Sequence, residues 1–212
     1  MTSQEIAKNL LEINAIFLRP QQPFTWASGI QSPIYCDNRL SLSDVFSRDL
    51  IEESFAKLIV EKYPECEVVV GTSTAGIAHA AITAHLLHKP MAYVRSKAKD
   101  HGRQNAIEGK ILPGQKVVVI EDLISTAGSV IEVCEILREE KIEVLGIVSI
   151  FNYGMQKAID RLKETQVENT SLSNLDVLLE VALKENRITE QQVRQIQAFR
   201  KEPNNPKWKE VK

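Results

Sequence analysis

Two β-branched runs, "CEVVVG" at 66–71 and "QKVVVIED" at 115–122, each lead into the same four letters, Ser-Thr-Ala-Gly, at Ser73–Gly76 and Ser125–Gly128. Runs of this kind form strands buried on both faces of a parallel sheet. Beyond the turns, "IAHAAITAHLL" is nearly all apolar, and "SVIEVCEILREEK" sets Val130, Val133, Cys134 and Leu137 on one helical face. The local grammar is strand, turn, helix, twice, and parallel strands joined by right-handed crossover helices admit few folds. "PMAYVR" at 90–95 and "EVLGIVSIF" at 143–151 add two strands, so the expectation is an α/β doubly wound sheet with four parallel strands. The region around "LLEVAL" reads better as a helix than as a fifth strand, which leaves the sheet's far edge open.

A chain of 212 residues holds one full core and little more. "MTSQEIAKNLLEINAIF" opens with a capping box from Thr2 to Glu5 and carries Ile6, Leu10, Ile13 and Phe17 at helical spacing, a structural helix. It has no basic start followed by an uninterrupted apolar stretch, and no segment approaches the ~20 apolar residues of a membrane span, so a cytoplasmic location is expected. Residues 19–39, rich in Pro, Gly, Ser and aromatics without a clear period, predict a loop or small irregular cap. The C-terminal "RKEPNNPKWKEVK" reads as a polar tail.

The formal net charge of -2 offers no general attraction to nucleic acid, so an anionic partner must be bound locally. Cys36, Cys66 and Cys134 form no C-x-x-C pair and read as reduced packing residues. His79, His85 and His88 lie in one predicted helix, where structural or solvated roles fit best.

A turn between the carboxyl end of a buried strand and a helix points backbone N–H groups, and the positive end of the helix dipole, at one spot outside the sheet. Ser125, Thr126, Ala127, Gly128 and Ser129 have the small side chains and hydroxyls to enclose one phosphate monoester, although an ordinary well-capped βα turn has the same composition. Glu121 and Asp122 at the strand end would repel a phosphate set against them, and so call for sugar hydroxyls or a metal ion. A ribose 5-phosphate supplies both kinds of group. "GTSTAGIA" lacks the Lys and hydroxyl of a nucleoside-triphosphate P-loop; it suits a second anion such as pyrophosphate, and close strand-to-helix packing explains its glycines equally well. The run "RSKAKDHGRQNAIEG" at 95–109, with Arg95, Lys97, Lys99, His101 and Arg103, reads either as a solvated surface loop or as a basic lid closing over a departing pyrophosphate.

Together these residues resemble the type I phosphoribosyltransferases: "VVVIEDLISTAGS" is similar to their site for 5-phosphoribosyl 1-pyrophosphate (PRPP). "YVRSKAKDHGRQNAIEG" and "FTWASGIQSPIYCDNR" resemble the mobile loop and base-side segment of the members that use orotate. The resemblance covers roughly residues 5–165. It implies an open parallel sheet flanked by helices, with a hood segment at 1–45, a core at 46–165, and a C-terminal helical segment at 166–212 completing one domain. It also implies transfer of phosphoribosyl from PRPP to orotate in pyrimidine synthesis, with Mg2+ held mainly by substrate oxygens. The expected assembly is a homodimer whose 95–109 loop serves the neighbouring site, with neither nucleic acid nor membrane as partner. By motif position Arg95, Lys99 and His101 would contact pyrophosphate. Glu121, Asp122, Leu123, Ile124, Ser125, Thr126, Ala127, Gly128 and Ser129 would hold the phosphoribosyl part, Ser125 would also touch orotate, and Lys99, His101 and Asp122 would be catalytic. Ala127 stands where these enzymes often carry a second Gly, Gln31 and Ala27 where various members carry Lys, and Arg103 where small residues are frequent. The rival readings are a phosphoribosyltransferase for another base, and a PRPP-sensing regulator that binds nucleic acid on the same fold.

Overall fold

The computed structural model describes residues 2–26, 29–95 and 106–211. Helix α1 (Ser3–Glu12) starts on the expected capping box, with Glu5 N–H donating to Thr2 Oγ1 and Thr2 N–H to Glu5. It ends before Ile13 and Phe17. Asn14 takes a left-handed conformation at φ 55°, its N–H reaching Leu11 O at 3.3 Å and that of Ala15 reaching Leu10 O at 2.9 Å. This Schellman geometry satisfies the last carbonyls and terminates the helix, which the apolar spacing could not reveal. Residues 16–36 form two short antiparallel pairs, β1 (Ile16–Leu18) with β4 (Ile34–Cys36) and β2 (Phe24–Thr25) with β3 (Gln31–Ser32). A 3-10 helix (Asn38–Ser43) then leads into α2 (Val45–Lys62).

The predicted strands become β5 (Val68–Thr72), β6 (Met91–Val94), β8 (Lys116–Ile124) and β9 (Glu143–Asn152), and the helices between them α3 (Ala75–Leu86) and α4 (Gly128–Glu139). Two further strands of the main sheet, like the short β1–β4, went unforeseen. Ile107–Glu108 forms β7, antiparallel to β6, and Asn169–Asn174 forms β10, parallel to β9. β10 reads "NTSLSN" because it lies at the edge, where polar side chains bond one another: Ser149 Oγ lies 2.7 Å from Ser171 Oγ and donates to Asn169 Oδ1 at 3.0 Å. "LLEVAL" is helical, within α6 (Leu175–Lys184). The six-stranded order is β10-β9-β8-β5-β6-β7.

The valine runs alternate between two cores. Val69, Val118 and Ile120 pack with α1, α2, α3, α6 and α7 (Glu190–Lys201) on one face, while Val68, Val70, Val117 and Val119 pack with α4 and α5 (Gln156–Glu164) on the other. Val130, Val133, Cys134 and Leu137 are buried, as the helical face predicts. His79 is core as well: its Nδ1 lies 2.5 Å from Glu52 Oε1, and Thr83 Oγ1 donates to Glu52 Oε2 at 2.8 Å, tying α2 to α3.

The C-terminal stretch is no free tail. Trp208, 3% exposed in a 3-10 helix (Pro206–Glu210), packs edge-on against Phe199, and Gln195 Nε2 donates to Lys209 O. Phe199 in turn meets Trp26, which stacks on Tyr153, so one aromatic cluster joins the N-terminal segment, the end of β9 and the C-terminus. One indole in thirteen mostly polar letters is a weak sequence signal, yet burying it removes a large aromatic surface from water. Phe199→Ala should therefore cost about 3–5 kcal/mol of stability, read from urea denaturation; a loss under ~1 kcal/mol would show that the cluster contributes little.

Candidate active site

β5 and β8 are adjacent and parallel, with Gly71 opposite Ile120, but their crossover helices leave in opposite directions. α3 leads to β6 on one side and α4 to β9 on the other, packing against opposite faces. Between such strands the carboxyl ends are left uncovered, the usual place for a ligand in an open α/β sheet. Both Ser-Thr-Ala-Gly turns lie there.

The two turns share letters and differ in backbone. In the first, Thr74 is the cap and α3 begins at Ala75; the Ser73–Thr74 peptide is cis, and Ser73 N–H donates to Val94 O at 3.1 Å. Helix and strands approach so closely that a methyl at Gly76 would lie 2.5 Å from Ile120 O, and one at Gly71 2.8 Å from Gly76 O. Close packing thus accounts for both glycines. In the second, α4 begins one letter later, at Gly128, with Ala127 as cap at φ 60°, ψ 7°. This left-handed conformation favours glycine, at roughly 1–2 kcal/mol for any other residue. Ala127 is only 4% exposed and its methyl joins the core cluster of Ile124, Val130 and Ile131, which offsets part of that cost. Among the described residues the amides of Ser125, Thr126, Ala127 and Gly128 donate no hydrogen bond.

Glu121, 6% exposed, accepts from Thr72 Oγ1 at 2.7 Å and from Asp122 N–H at 3.0 Å. Burial, and then the neighbouring Asp122 charge, push its carboxyl up from the ordinary 4.5 to about 8. Asp122 is half-buried, and its carbonyl accepts from the fully buried Asn38 Nδ2 at 2.7 Å. Asn38 also accepts from Cys36 Sγ at 3.2 Å, and burial followed by the Asp122 and Asp37 charges raises that thiol well above its usual range. Beside Thr126 a cavity of about 180 Å3 opens between Trp26, Ile30, Met155 and Arg200.

Of the sequence-named residues, 121–129 come together at the strand end. Arg95 caps β6, pairs with Glu108 at 3.1 Å, and donates its N–H to Ala106 O at 2.9 Å. The two ends of the 95–109 segment are thus joined at the sheet edge by β7 and the buried Ala106, an apolar anchor the charge run concealed. Lys97, Lys99, His101 and Arg103, like Ala27, lie outside the described residues. Gln31 faces across the β2–β3 pair, donating from Nε2 to Thr25 Oγ1 at 2.7 Å. Sequence reasoning overlooked Thr72 and Asn38, although both lie inside quoted motifs, Thr72 in "GTSTAGIA" and Asn38 in "FTWASGIQSPIYCDNR".

The phosphoribosyl transferase domain family matches residues 46–197. The orotate phosphoribosyltransferase of Bacillus subtilis (strain 168) is 51% identical over 205 residues, 97% of this chain and 95% of that protein. The chain belongs to the orotate phosphoribosyltransferase family. Among solved structures, the orotate phosphoribosyltransferase of Aeropyrum pernix aligns with TM-score 0.75 at 29% identity, over 87% of this chain and 99% of that one. The UMP synthase of Leishmania donovani aligns with TM-score 0.79 at 30% identity, over 94% of this chain and 42% of that one. The doubly wound fold expected from the strand pattern is thus the fold of this family. Among the described residues no helix is long and apolar enough to cross a membrane.

Because the Glu121 carboxyl is raised on folding, its protonated form favours the folded state; that contribution is full below about pH 4.5 and falls as pH rises toward about 8. Glu121→Gln keeps an acceptor for Thr72 and cannot ionise. Relative to this variant, the wild type should lose on the order of a few kcal/mol between about pH 5 and about pH 8 in urea unfolding. A difference that stays constant across that window would contradict the burial argument.

Proposed function

We propose that this chain transfers the 5-phosphoribosyl group of PRPP to orotate, releasing pyrophosphate and orotidine 5-phosphate. The observation that carries the reading is the meeting of two hydroxyl-rich turns and an acidic strand end at one switch point, in a chain of the orotate phosphoribosyltransferase family. The amides and hydroxyls of Ser125–Ser129 hold the 5-phosphate, and Asp122 and Glu121 face the ribose hydroxyls. Burial, which pushes the Glu121 carboxyl up, favours a hydrogen-bonding part for it there. Ser125 also meets orotate.

During transfer the bond from the anomeric carbon to the pyrophosphate oxygen breaks, the oxygen keeping the electron pair, as a ring nitrogen of orotate gives up its proton and bonds that carbon, through a cationic sugar with charge growing on the leaving oxygen. No protein nucleophile is needed. Arg95 contacts the pyrophosphate, Lys99 and His101 neutralise or protonate it, and the lid excludes water. Among the described residues no three His, Cys, Asp or Glu side chains converge into a metal cage. The donor set fits an ion that takes most of its ligands from the substrate, with Asp122 the nearby carboxylate; Mg2+ so bound would offset the leaving group's charge. The active unit is a cytoplasmic homodimer in which residues 95–109 serve the neighbouring site. Val45 and Phe46 at the start of α2, 60% and 70% exposed, supply apolar surface suited to such an association.

Orotate absorbance should fall when PRPP and Mg2+ are present, with hypoxanthine, adenine and uracil left unconsumed; turnover of one of these in place of orotate would overturn the base assignment. Lys99→Ala should lower kcat roughly a hundredfold with little change in stability, and wild-type turnover would reject the lid role. Mixing the impaired Lys99→Ala and Asp122→Asn proteins should raise activity through hybrid dimers, whereas a mixture no more active than its components would mean each site is built from one chain.

A further inference from the structure

Arg161 lies in the last turn of α5, far along the chain from the strand-end acids. Its Nη1 donates to Thr126 O at 3.0 Å, and a methyl placed on Gly128 would come within 3.1 Å of the same nitrogen. The guanidinium therefore sits directly behind the turn. Among the described residues no carboxylate forms an ion pair with it. Nor is it needed to fasten the end of α5, because Arg138 of α4 already donates to Thr165 O at 2.7 Å and Gln166 O at 3.3 Å.

In a trans peptide the C=O and the following N–H point in opposite directions. Holding Thr126 O from behind therefore aims the Ala127 N–H forward, away from Arg161, and the charge on the guanidinium polarises that peptide in the direction that strengthens its N–H as a donor. Ala127, left-handed and capping α4, is the residue whose flanking peptide most needs an external hold, since its own conformation is not the preferred one for alanine. We propose that Arg161 is a positioning residue for the 5-phosphate: it touches no substrate, fixes the Thr126–Ala127 peptide, and adds positive potential behind the anion. This rests on the reading of Ser125–Ser129 as the 5-phosphate turn.

The test separates the two phosphate-bearing ends of the donor by calorimetry, with ribose 5-phosphate as the probe of one and pyrophosphate as the probe of the other. Arg161→Met should weaken ribose 5-phosphate about tenfold, as expected for loss of one hydrogen bond from a charged group, and leave pyrophosphate unchanged. The KM for PRPP should rise by a similar factor with kcat within about twofold, and Arg161→Lys, which restores a cation without the planar fork, should fall between. Unchanged ribose 5-phosphate affinity in the variants overturns the proposal, as does a parallel loss of both probes, which is what general loosening of the fold would give. If the Met variant does not fold, the Lys variant must still show the selective loss. A wild type that fails to bind ribose 5-phosphate sinks this inference and the functional reading together; one that binds it but consumes another base sinks only the choice of orotate.

Discussion

Everything at the site depends on how closely α3 lies against β5 and β8. Gly71 and Gly76 have no room for a methyl, and the backbone contact they permit brings the first turn against Ile120, one residue before the acidic pair. Because α3 and α4 then depart to opposite faces, two turns and two carboxylates share one strand end that, among the described residues, neither of these helices covers.

The electrostatics of that opening follow from burial. A strand end packed between two cores has little water to offer Glu121, so its carboxyl is kept protonated toward neutral pH and is held by Thr72 and its own neighbour's amide. Asp122, one residue further out, is more exposed and is fastened through its backbone by Asn38. One carboxyl is thus held by the scaffold, while the charge of the other reaches its buried neighbours: the Cys36 thiol is raised by burial and then by Asp122, and the Tyr153 hydroxyl by burial, then by Cys36 and then by Asp122.

The N-terminal segment reaches the surroundings of the site through Asn38, by a side-chain-to-backbone hydrogen bond to Asp122, and through Trp26, by an aromatic stack on Tyr153. Trp26 also meets Phe199, which Trp208 covers from the other side, so both ends of the chain converge on the end of β9.

Local pattern was sufficient for the valine strands, the amphipathic face of α4, the capping box of α1 and the position of the acidic turn, because each depends on residues within a few places of one another. Resemblance of three motifs, rather than spacing, pointed to the family. What required the tertiary structure was everything decided by distant partners. Identical letters at Ser73–Gly76 and Ser125–Gly128 adopt different backbones because one turn is clamped between β6 and β8 while the other is held from behind by Arg161. The polar β10 is a strand because β9 offers it hydrogen bonds, and Trp208 is core because Phe199 is there to receive it. Periodicity records what a residue does with its near neighbours; pairing, burial and charge at the site are set by residues that the fold brings from elsewhere in the chain.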